Sequence, residues 1–141
     1  MLDLWLILHF LGVALAVGTG FAMFTLGLST KDLPPAERVA FMQRASVLSR
    51  NGSIGLLFLI VSGVGLLMTR GVDVVMAWGG GMFHVKLTLV AILIGVFGYM
   101  QVLVKKFKSG DAAAAARLPM VSKIMLLLGV AIIISAVLAF Q

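Results

Sequence analysis

The chain contains no cysteine, which excludes disulfides, thiolate metal sites and cysteine-ligated clusters. Charge is nearly as scarce. Only 11% of the 141 residues are Asp, Glu, Lys or Arg, against roughly 25% in a soluble domain. Just five residues are acidic and none lies within an apolar run, so a membrane proton relay of the Asp or Glu type is excluded. There is no Walker loop, no Ser-His-Asp set, no internal repeat and no low-complexity linker. What remains is hydrocarbon. Hydrophobic residues make up 62% of the chain and mean hydropathy is +1.18, so it belongs in a bilayer as a single domain, residues 1–141. The net charge of +6 does not indicate nucleic acid, because the basic residues flank apolar runs and form no stripe.

Between Asp3 and Lys31 lie 27 residues without an acidic or basic group, more than the roughly 20 needed to cross the hydrocarbon core. No basic residue precedes the run, so it reads as a retained helix, spanning about 4–28, and not as a signal peptide. Pro34, Pro35 and Glu37 then suit a helix start. Residues 35–50 read as an amphipathic surface helix, either separate from the next span or running on into it. The second span is 53–69. A glycine-rich link follows, with Trp78 as an interface anchor, and the third span is 82–104. The alanines of KKFKSGDAAAAARLP predict a short helix stopped at Leu118 before Pro119, and the fourth span is 122–140.

These spans predict an all-α integral membrane protein with four transmembrane helices in an up-down-up-down bundle. Its expected surroundings are membrane lipid. Nine of the eleven basic residues fall in the first and third loops. The positive-inside rule therefore puts those loops in the cytoplasm and both termini outside.

Two histidines interrupt the hydrocarbon. His9 is 22 residues from Lys31, and His84 is 21 residues from Lys105. At about 1.5 Å per residue, both imidazoles lie roughly 31–33 Å from the cytoplasmic edge, at one depth. Below His9 come Gly12, Ala16 and Gly20; below His84 come Thr88, Ala91, Gly95 and Gly98. Both faces are nearly bare at helical spacing. Small residues at this spacing equally serve helix–helix packing. Two histidines at one depth on diagonal helices point to a flat cofactor, and haem b with two axial imidazoles suits them best.

Lys86 follows His84 by two residues, about 200° round the helix. It either snorkels to the outer headgroups or meets a carboxylate of a haem propionate or an acidic substrate. Arg70, the lone arginine expected on the outer side, is a second propionate partner. The nine methionines, Met82 among them, make copper transport a lesser alternative.

The stretch FHVKLTLVAILIGVFGY resembles the HxKLxLV segment of the HemJ family, four-helix bacterial protoporphyrinogen IX oxidases. LWLILHFLGVALAVGTGFAMF resembles that family's first span, and length and layout are similar over the whole chain. A wider superfamily holds CopD-type copper-resistance domains and small b-type cytochromes. The resemblance implies a bacterial inner-membrane protein with His9 as haem b ligand, His84 in the same site and Lys86 as a required, catalytic basic residue. The implied reaction removes six electrons from protoporphyrinogen IX and passes them to the respiratory chain. The chain departs from the family at Ala16, Met23 and Leu28, where a tryptophan and an arginine are expected in and after the first span. It also has Phe97, Gly98 and Tyr99 where the family carries an aromatic residue and two histidines. Two other readings are a small b-type cytochrome and an accessory subunit of a larger electron-transfer complex, as a homo-oligomer or beside other subunits.

Overall fold

A computed structural model describes residues 1–141, almost all of them helical. The elements are α1 (Leu2–Ser29), α2 (Pro35–Ala45), α3 (Ser49–Arg70), α4 (Val72–Lys108) and α5 (Ala112–Ala139). Four helical stretches are long and apolar enough to cross a membrane: α1, the α2–α3 unit, α4 and α5. The helices outrun the expected spans at nearly every end, because helix continues beyond the apolar window wherever no breaker stops it.

Local chemistry sets the boundaries. At the end of α1 the Thr30 hydroxyl donates to the Leu26 and Gly27 carbonyls, closing the last turn. Pro35 opens α2 at its first position, where a missing N–H costs nothing. A single 3-10 turn, Ser46–Leu48, carries α2 straight into α3, so the amphipathic segment runs on into the second span. Between α3 and α4 stands only Gly71, at φ +87°, a conformation that glycine adopts without strain. The expected glycine-rich link is thus itself helical up to Gly80, where φ 52° and ψ −145° break α4.

One expectation is corrected here. The alanine helix does not stop at Leu118; α5 runs through Pro119 to Ala139. Five alanines are the strongest helix formers available, and Asp111 caps them, accepting from the Ala113 and Ala114 amides. Those local preferences outweigh the carbonyl that proline leaves unpaired.

Packing is uneven. Helices α1 and α3 meet closely, as do α4 and α5; α1 and α5 touch less, and α3 and α4 less again. Glycine makes the first pairing possible. A Cβ at Gly12 would lie 2.9 Å from the Gly55 carbonyl oxygen, and one at Gly55 would lie 2.6 Å from the Ala16 amide. Gly65 likewise makes a bed for the Trp5 indole. The α4–α5 pair closes on Leu103, Phe107, Ala114 and Val121, with Met42 of α2 against them. Only 17 residues are buried, because each long helix turns an apolar face outward, and the paired helices also leave a space between them.

Candidate functional site: an apolar cavity lined by cations

That space is a cavity of about 1130 Å³, walled by α1, α3, α4 and α5 and mostly by hydrocarbon. It exceeds the roughly 300–1,000 Å³ of pockets for drug-sized ligands. Five cations line it, Lys31, Arg38, Arg70, Lys86 and Lys123, and no carboxylate does.

His9 reaches the cavity from α1. Its Nδ1 lies 2.9 Å from the hydroxyl oxygen of Ser62, a fully buried residue of α3. The Ser62 hydroxyl has one proton, and donates it to the Phe58 carbonyl one turn back. Serine must therefore accept from His9, which places the ring proton on Nδ1 and leaves a lone pair on Nε2. A ring held in this way by its other nitrogen is the usual preparation of a metal-ligating or basic imidazole.

Lys86 reaches the same cavity from α4, with Nζ 5.9 Å from the centroid of the Phe140 ring. Phe140 also meets Trp78 edge-on at 5.2 Å and Phe83 at 6.1 Å. Above Trp78 lies the Arg70 guanidinium, 5.4 Å from the ring. Trp78, expected as an interface anchor, thus belongs to an aromatic cluster that carries two cations. Such contacts return only about 0.5–2 kcal/mol, less than a desolvated ammonium gains from an anion.

His84 lies elsewhere. It is exposed on α4 and does not line the cavity. Its Nδ1 lies 3.1 Å from the Gly80 carbonyl oxygen, so this ring too carries its proton on Nδ1 and presents Nε2 outward. Thr88, Ala91, Gly95 and Gly98 continue the same exposed face. Lys86 and His84 stand on nearly opposite sides of α4, so only one can point inward. The bulky stripe of Phe83, Leu87, Val90, Ile94 and Phe97 turns Lys86 to the cavity.

The expected site therefore divides. His9, Ala16, Arg70 and Lys86 come together around one cavity, whereas His84 and Ala91 face away from it. Gly12 is spent on the α1–α3 contact, the packing use of small residues. Equal depth does not by itself pair the histidines, because depth says nothing of direction round a helix. Ser62 and Phe140 are site residues that the sequence reading passed over. Depth could have found Ser62, a polar residue eight positions before Arg70, much as His9 is six after Asp3.

A haem held by two imidazoles of one chain does not fit this arrangement. One held by a single imidazole does, since the His9 Nε2 lone pair faces a large apolar space with cations nearby. No cluster of three or more His, Cys, Asp or Glu side chains is present for another metal. No protein-family model, no curated protein and no solved structure matches the chain.

Proposed function

We propose that this chain binds a carboxylated tetrapyrrole inside a four-helix membrane bundle and acts on it as an oxidase of the protoporphyrinogen IX type. The observation that carries the reading is the joint exposure of His9 and Lys86 to one apolar cavity that holds cations and no carboxylate. The substrate is an apolar macrocycle with two acidic side chains, puckered at its four saturated bridges and flat only once oxidised. Apolar walls take the ring, and Lys86 and Arg70 take the carboxylates. Oxidation to protoporphyrin removes six electrons and six protons. Ser62 orients the His9 ring, and Nε2 is the nitrogen left free on the cavity side.

Haem b belongs to the proposal with His9 as its one protein ligand, and bound there it would supply one-electron redox chemistry. His84 takes no part. The electrons pass to the respiratory chain of a bacterial inner membrane.

The topology that goes with this is up-down-up-down with both termini outside. Contacts of Trp5 with Gly65 and Gly12 with Gly55, and of Phe140 with Trp78 and Arg117 with Tyr99, favour it, as does the basic character of the first and third loops.

Expression in a strain lacking its own protoporphyrinogen oxidase tests the reading. Wild type and His84→Ala restore growth, while His9→Ala and Lys86→Gln do not. Failure of wild-type protein, shown to be present in the membrane, overturns it.

A further inference from the structure

The porphyrin reading uses one end of the cavity. At the other, three more cations line the wall: Lys31 just after α1, Arg38 on α2 and Lys123 on α5. They belong to one end of the bundle. Met42, one turn beyond Arg38, packs on the cluster that contains Val121, two residues before Lys123. Gln43 beside it donates to the Phe107 carbonyl of α4. Lys31 stands four residues before the start of α2. No side-chain hydrogen bond within the chain engages any of the three, whereas Arg117 nearby is held by Tyr99. Ser46, Ser49 and Ser122 share this part of the wall.

Above these cations the cavity continues as hydrocarbon, lined by Met23, Phe24, Leu56, Met100, Met125 and Leu126. Protein interiors are packed to the density of organic crystals, and an unfilled space of this size forfeits its dispersion contacts. Water does not settle against the apolar stretch of this wall. The occupant must therefore bring hydrocarbon of its own together with a compact negative charge. A way in exists where α3 and α4 scarcely touch, leaving the ring of helices loosely closed on that side.

We infer that the basic end of the cavity is a binding site for an anionic phospholipid, with the phosphate among Lys31, Arg38 and Lys123 and the acyl chains filling the apolar space above. Basic pockets between membrane helices bind phosphate headgroups in this way. The site stands at the other end of the same cavity from His9 and Lys86. The lipid completes the packing that the side chains leave open, so it stabilises the fold as any ligand of the native state does.

Native mass spectrometry of the full chain, released from detergent micelles after incubation with phosphatidylglycerol or phosphatidylcholine, tests this. The expected result is one retained phosphatidylglycerol per chain, at least tenfold preferred over phosphatidylcholine. The triple variant Lys31→Gln, Arg38→Gln, Lys123→Gln loses that preference. Lys105→Gln with Lys106→Gln and Lys108→Gln, which removes equal charge outside the cavity wall, keeps it. Gly27→Trp keeps every charge but fills the space above the cations, since nothing lies within 4 Å of a Cβ there. It is expected to exclude the lipid while remaining folded, a helical glycine having been replaced. Equal retention of both lipids, equal loss in the two triple variants, or full retention by Gly27→Trp overturns the inference. So does a thermal stabilisation by inorganic phosphate that matches that by phosphatidylglycerol, which would make this a free-anion site. A second copy of the chain in place of lipid would appear as a dimer without bound lipid.

Discussion

Ser62 sets the state of the His9 ring without lining the cavity itself. By accepting the Nδ1 proton it fixes both ring orientation and tautomer, and outer-shell partners of this kind change metal affinity by about 10–100-fold. Ser62→Ala is therefore expected to lower haem occupancy at least tenfold, read from the reduced-minus-oxidised spectrum of purified protein. His84→Ala should leave that spectrum unchanged, and the opposite ranking would place the ligand on the outer face of α4. Both histidines stand out in the sequence because hydrocarbon surrounds them. Which one faces inward does not, because lipid is as apolar as a protein core. Hydropathy along α4 therefore carries no sign for inside and outside.

Glycine does different work in different helices, and spacing alone does not separate the uses. Gly12 and Gly55 bring α1 and α3 together. Gly55→Leu should destabilise the protein by about 1–3 kcal/mol through overpacking, measured as a lower thermal unfolding temperature in detergent. Gly63→Ala, where a Cβ would meet nothing within 4 Å, should be neutral or gain up to about 1 kcal/mol in helix propensity. Gly80 is different again. Its backbone lies close to a region that only glycine occupies readily, and its carbonyl holds the His84 ring. Gly80→Ala should cost about 1–3 kcal/mol while sparing porphyrin binding, since Lys86 and the cavity wall lie beyond the break. The four spans and the start of α2 at the prolines were legible because composition and breakers fix them. The run through Pro119 was not, since the rule that proline ends a helix competes here with a capped alanine tract.

Across the whole molecule the folding pattern is two close helix pairs around an incompletely filled interior. Helix number was readable from apolar run length, but the cavity was not, because its walls are drawn from all four long helices. The absence of native cysteine makes topology directly testable. Single cysteines at Lys106 and at Gln141 should react with a membrane-impermeant maleimide from opposite sides, Gln141 in intact spheroplasts and Lys106 only after permeabilisation. Equal labelling of both in intact cells would contradict the up-down arrangement with the termini outside.

The central claim is that His9 and Lys86 share a cavity for a carboxylated tetrapyrrole. Lys86 tests it most directly, because its charge has no carboxylate along the cavity wall. Protoporphyrin IX, titrated onto detergent-purified protein and followed by tryptophan quenching, gives the affinity for wild type, Lys86→Arg, Lys86→Gln and His84→Ala. Loss of a charge-assisted pair in an apolar setting costs on the order of tenfold or more in binding. The account predicts that much weakening in Lys86→Gln, partial retention in Lys86→Arg and wild-type affinity in His84→Ala. Equal affinity for wild type and Lys86→Gln, or loss confined to His84→Ala, would contradict it.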